Sequence, residues 1–134
     1  MTPQDILAMP ADDYMNEIQK DFFSQVLLEN QASVMDAIAA ARLTLATLGN
    51  AADPADLANI EEDRQNLTRT LDRLTNQLNN IRYSLKSLAD DEYGWCEMTG
   101  EEIGLPRLIA QPTARYSAAN QARQESISRH YAAA

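Results

Sequence analysis

Leu27, Val34, Ile38, Ala41, Leu45 and Leu48 follow one another at steps of 7, 4, 3, 4 and 3, the alternation that keeps one stripe of a helix turned toward a partner helix. A second run repeats it: Ile60, Leu67, Leu71, Leu74, Leu78, Ile81, Leu85 and Leu88 step by 7, 4, 3, 4, 3, 4 and 3. Between the runs lies Gly49-Asn50-Ala51-Ala52-Asp53-Pro54. Gly and Asn suit a helix C-terminus, Asp53 suits an N-cap and Pro54 suits a first helical position. The pattern predicts an antiparallel coiled-coil hairpin over residues 17–89 with its tip at 49–58. Helices of roughly 33 to 36 residues would each reach about 50 Å.

Ile18, Phe22, Phe23 and Val26 place the bulkiest apolar side chains of the first helix level with the end of the second. A small globular knot is expected there, built from residues 90–134, with residues 1–16 as an N-terminal segment packing on it. The knot begins Asp90-Asp91-Glu92-Tyr93-Gly94-Trp95-Cys96 and continues through a loop punctuated by Gly100, Gly104, Pro106 and Pro112. It ends in Ala-, Gln- and Arg-rich sequence that predicts a final helix. Trp95, Met98, Ile103, Leu105, Leu108 and Tyr116 are its expected packing residues. The fold class is therefore all-α.

Composition narrows the chemistry. At 134 residues, one domain or one domain with an extension is expected, and 45% hydrophobic residues with only 6% aromatics suits long helices better than a sandwich or barrel. The net charge of −9 is uneven: residues 1–49 sum to −5, residues 50–105 to −7 and residues 106–134 to +3. Phosphate neutralisation by Lys and Arg supplies most non-specific nucleic-acid affinity, so direct DNA binding is not expected. No window approaches the roughly 18 apolar residues of a membrane span, and the start is acidic where a signal peptide would be basic. A cytoplasmic protein is expected, and a seam this complete within one chain argues for a monomer. One cysteine, Cys96, cannot form an internal disulfide, and one histidine, His130, makes an all-protein Cys/His zinc site or a Ser-His-Asp triad hard to build. No catalytic residues are assigned, and a non-enzyme is expected.

Around Cys96 the spacing is informative. Cys96-x2-Thr99, 17 residues and Ser117-x2-Asn120 reproduce a C-x2-C-x17-C-x2-C zinc ribbon with three of four ligand positions replaced. Together with Tyr93-Gly94-Trp95-Cys96-Glu97, Gly100-Glu101-Glu102-Ile103-Gly104, Arg107 to Ala114, the tip Asp53-Pro54-Ala55-Asp56, and Asp13-Tyr14-Met15-Asn16-Glu17, these positions resemble the DksA/TraR family over residues 13 to about 131. The resemblance implies a bacterial factor that binds RNA polymerase, inserts its coiled coil through the secondary channel, and alters initiation at ribosomal RNA and other stringently controlled promoters.

Each residue also has a plainer reading. Asp53 and Asp56 suit the N-cap and N3 positions of the second helix; the resemblance implies that they, with Ala58, act at the polymerase active site. Arg69 and Arg73 suit intrahelical pairing, Arg69 with Asp72 for instance; the resemblance places a polymerase contact at Arg73, with Arg69 in support. Glu61, Glu62 and Asp63 suit a solvated helix face. With one thiolate and neutral oxygens at Cys96, Thr99, Ser117 and Asn120, no structural zinc is expected. Cys96 suits an inert small hydrophobe, with a redox thiol as the sharper alternative. Family members responsive to the alarmone ppGpp carry three basic residues and a leucine at the positions matching Gln77, Asn80, Gln111 and Gln121. Four neutral amides supply no cationic charge for a doubly pyrophosphorylated nucleotide, so strong ppGpp synergy is not expected. Two other functions suit the sequence: a Gre-like transcript cleavage factor, and an acidic coiled-coil adaptor without polymerase contact.

Overall fold

Two side-chain caps start the long helices. Asn16 Oδ1 accepts the Gln19 N–H at 2.8 Å while Gln19 Oε1 accepts the Met15 N–H at 2.7 Å, a reciprocal cap in which Asn and Gln satisfy otherwise orphaned donors. Asp53 Oδ1 accepts the Ala55 N–H at 3.0 Å, directly before Pro54 at the first helical position. The computed structural model describes residues 1–49 and 53–133. Its elements are α1 (Pro3–Leu7), a 3-10 turn (Ala11–Asp13), α2 (Glu17–Thr47), α3 (Pro54–Ala89), α4 (Leu105–Ala110) and α5 (Ala118–Ala133). Among the described residues the only β pairing is a single antiparallel bridge, Trp95 with Glu102. Asn50, Ala51 and Ala52, the middle of the expected tip, lie outside the described residues, as does Ala134.

The chain forms two compact units, one of Leu28–Tyr83 and one of Met1–Leu27 with the chain from Ser84 onward. The boundaries fall inside α2 and α3. In the first unit the two helices pack along the predicted seam: Ile38, Leu74 and Leu78 are buried, and Val34, Ala37 and Leu71 pack against them. Five of these six are seam positions, and burying each Leu or Ile contributes about 1.5–3 kcal/mol. Leu74→Asp would break the seam, because it sets an unpaired carboxylate among apolar neighbours. Leu28, Met35, Leu43 and Leu57, away from the seam, remain exposed.

Apart from Leu27, the second unit is centred on residues outside the two periodic runs. Ile6, Phe23, Leu27 and Leu108 have no exposed surface, and Tyr93 and Ile103 are buried beside them. The Phe23 and Tyr93 rings lie 5.5 Å apart, and the Tyr93 hydroxyl donates to the Pro112 carbonyl at 2.6 Å. Burial pushes the Tyr93 phenol up strongly, with Tyr14 adding to the effect. Helix α1 packs on α4; it starts from a capping box in which Thr2 Oγ1 and Asp5 serve each other's backbone N–H. That motif was legible as Thr2-Pro3-Gln4-Asp5.

Several expected packing residues are corrected here. Trp95 and Met98 are each 38% exposed and Ile18 is 49% exposed, while Phe22, Val26, Leu105 and Tyr116 are half-buried. Phe23, Ile103 and Leu108 are buried as expected, Ile6 joins them unforeseen, and Trp95 is left to lean edge-on against Tyr14 at 5.2 Å. Helix α3 ends in a Schellman cap: Glu92 N–H donates to Ser87 O at 2.9 Å and Asp91 N–H to Leu88 O at 3.3 Å. Asp91 takes the left-handed position usual for glycine, at φ 58°, and its carboxylate meets Lys20 Nζ of α2 at 3.0 Å.

Candidate functional site

At the start of α3, Asp53, Asp56 and Ala58 are all exposed. Asp53 serves as the helix cap, so its plainer reading holds, and one of its carboxylate oxygens is committed to the Ala55 N–H. Asp56 sits in the same first turn, where the positive end of the helix dipole favours both anions. Among the described residues no ion pair involves either carboxylate. Further along α3, Arg69 and Arg73 are exposed. The expected Arg69–Asp72 pairing is replaced by a 2.7 Å hydrogen bond from Arg69 Nη2 to Asn66 Oδ1, and among the described residues Arg73 forms no ion pair. Arg64 pairs with Glu61 at 3.4 Å, so the acidic run is partly compensated within its own helix.

Gln77 and Asn80 lie exposed on α3. Gln111 is the exposed C-cap of α4, and Gln121 is half-buried on α5, where its Nε2 donates to Glu125 Oε1 at 3.1 Å. None of the four presents a cation.

The four ribbon positions come together in space. Cys96 begins a tight turn in which Gly100 N–H donates to Cys96 O at 2.8 Å and Cys96 N–H to Glu101 O at 2.7 Å. Glu97 N–H donates to Arg115 O at 2.9 Å, which brings the 96–99 turn beside the chain leading into α5. There Ser117 precedes the first helical residue, and its Oγ accepts the Asn120 N–H at 3.4 Å as an N-cap would. From α5, Asn120 Nδ2 lies 3.4 Å from Cys96 Sγ, 3.4 Å from Thr99 Oγ1 and 2.8 Å from Ser117 Oγ. One amide nitrogen therefore stands among the other three side chains.

Cys96 is 2% exposed. Burial alone would push its thiol up, but the Ser117 backbone N–H, the Thr99 hydroxyl and the backbone N–H groups of Met98 and Thr99 outweigh it and bring the thiol down to about 6. This donor set does not fit zinc. A structural zinc site takes four Cys or His ligands, whereas here one thiolate meets two neutral hydroxyls, and Asn120 turns hydrogens, not lone pairs, toward them. Among the described residues no group of three or more His, Cys, Asp or Glu could hold a metal ion.

Around the ribbon positions, Tyr14 joins both flanking glycine turns. Its hydroxyl donates to Gly94 O at 2.6 Å and accepts the Gly104 N–H at 3.0 Å. Burial raises its phenol. Gly94, at φ 93°, has no room for a side chain, since a Cβ would meet Met15 Cγ and Sδ at 2.9 Å and Tyr14 Oη at 3.1 Å.

Comparison with known proteins gives these positions a context. Residues 91–126 match the model of the prokaryotic dksA/traR C4-type zinc finger. A protein of Caulobacter vibrioides called RNA polymerase-binding transcription factor DksA is 39% identical over 122 residues, which is 87% of this chain and 84% of that protein. The Escherichia coli K12 protein of the same name is 34% identical over 106 residues, 78% of this chain and 70% of that protein. The solved structure of transcription factor DksA2 from Pseudomonas aeruginosa superposes with a TM-score of 0.85 at 41% identity, covering 96% of this chain and all of that one. Likeness of this extent in both sequence and fold is shared ancestry, and the chain belongs to the DksA/TraR family.

Proposed function

We infer that this protein is a bacterial transcription regulator that binds RNA polymerase. It enters through the secondary channel and modulates initiation at ribosomal RNA and other stringently controlled promoters. The observation that carries the reading is the match to proteins called RNA polymerase-binding transcription factor DksA along most of their length. In this reading Asp53 and Asp56, with Ala58 beside them, act near the polymerase active site, while Arg73 and, in support, Arg69 contact polymerase. Their exposure is compatible with contact by a partner, and the partner is protein, because a net charge of −9 disfavours nucleic acid.

The family's zinc has no counterpart in this reading, because the donor set is wrong, and ppGpp adds little through the Gln77, Asn80, Gln111 and Gln121 positions. Pull-down with purified bacterial polymerase followed by multi-round transcription from a ribosomal RNA promoter tests the proposal. Binding together with reduced transcript supports it. Failure to bind supports the adaptor reading instead, and shortening of RNA in stalled complexes supports a Gre-like factor.

A further inference from the structure

A knot whose donor set does not fit zinc raises the question of what joins its two halves. The 96–99 turn and the 117–120 segment are separated by 17 residues, and they meet here through the small side chains of Cys96, Thr99, Ser117 and Asn120. We propose that the carboxamide of Asn120 takes the structural place of the family's metal. Its nitrogen is the common donor that clamps the Cys96–Thr99 turn to the first turn of α5.

The geometry carries this directly. Asn120 Nδ2 is within 3.4 Å of Sγ of Cys96, Oγ1 of Thr99 and Oγ of Ser117, so one atom reaches every other ribbon position. An amide has two hydrogens. The shorter contact, at 2.8 Å, takes one of them to Ser117, and the second is shared between Cys96 and Thr99 as a three-centre bond. Position 120 is also held independently, because its backbone N–H donates to the Ser117 cap. The carboxamide is thus aimed by the helix that it secures. A bond to sulfur that carries negative charge is stronger than one to a neutral thiol. The cross-link is then built into the chain, where a metal-bound ribbon borrows it from solution.

Thermal denaturation of Asn120→Ala and Asn120→Asp in the full chain tests this. Both variants should lower Tm by roughly 5 to 10 °C. Asp keeps the side-chain size and favours the first turn of a helix, but it replaces the donor with an acceptor beside Cys96. A parent-like Tm, within about 1 °C, for either variant would overturn the proposal. Should a variant fail to fold, the parent alone decides: the Asn120 carboxamide protons should exchange with solvent at least about tenfold more slowly than those of exposed Gln111. Equal exchange rates would sink the clamp.

Discussion

The hydroxyl of Tyr14 donates to the carbonyl of Gly94 at 2.6 Å across 80 residues of sequence. The same oxygen accepts the Gly104 N–H at 3.0 Å, so one phenol closes both glycine turns of the second unit onto the N-terminal segment. Tyr14→Phe keeps the ring against Trp95 but strands the Gly104 N–H, while Gly94 O retains the Ile103 N–H at 2.9 Å. The expected loss is about 1 kcal/mol in urea denaturation, toward the low end of the penalty for an unpaired donor because Gly104 is only half-buried. Gly94→Ala should cost at least as much, because it adds both a strained backbone and a clash. A Tyr14→Phe variant as stable as the parent would show that water, not Tyr14, satisfies that turn.

Elemental analysis of the purified protein should find well under one zinc per chain, and a chelator should leave Tm unchanged. Where a metal holds a fold, its removal costs folding free energy; with one thiolate and an inward-pointing amide there is no such site to empty. Stoichiometric zinc that resists dialysis would refute this.

Stability should fall on acidification through a window set by Cys96. Its thiol titrates near about 6 in the folded chain against 9.0 in the reference state, so the folded state favours the anion. The stabilisation is complete above about 9, declines as pH falls below that value, and is gone once pH passes below about 6. Thiolate ultraviolet absorbance should report a midpoint near about 6, and Cys96→Ala should flatten the pH dependence of Tm across the same interval. A midpoint at the usual thiol value would remove the effect.

At the start of α3, function should depend on charge more than on binding. Replacing Asp53 and Asp56 by Asn keeps side-chain size and capping ability, so folding should lose at most about 1 kcal/mol. Affinity for polymerase should change only a few-fold while promoter inhibition collapses. Arg73→Ala should do the reverse, weakening binding but recovering inhibition at high protein concentration. An Asn double variant that inhibits like the parent would reduce the two acids to helix caps.

Inhibition of a ribosomal RNA promoter should proceed without ppGpp and gain little from it, in a polymerase lacking any separate site for the nucleotide. Asn80→Lys with Gln111→Arg should raise the response, since cationic donors are what the four amides lack. Strong enhancement with the parent protein would show that charge at these positions does not govern the response.

The sequence by itself determined the parts whose physics is local. Steps of 3 and 4 residues place Ile38, Leu74 and Leu78 on facing stripes, because helical periodicity is a property of neighbours within two turns. Asp53 before Pro54 marked the start of α3 for the same reason, since a cap bonds within its own turn. The C-x2-C-x17-C-x2-C spacing located the ribbon positions, which the fold brings together. Tertiary structure alone decided which aromatic fills the knot. Phe23 and Trp95 were both expected to pack there, yet Phe23 of α2, with Ile6 of α1, fills the centre and leaves the indole at the rim; that outcome depends on the closure of segments some 70 to 90 residues apart, which no local pattern encodes. Asn120 is the same case. In the sequence it is a lost ligand, and only the approach of the 96–99 turn to α5 gives its amide three acceptors and a role.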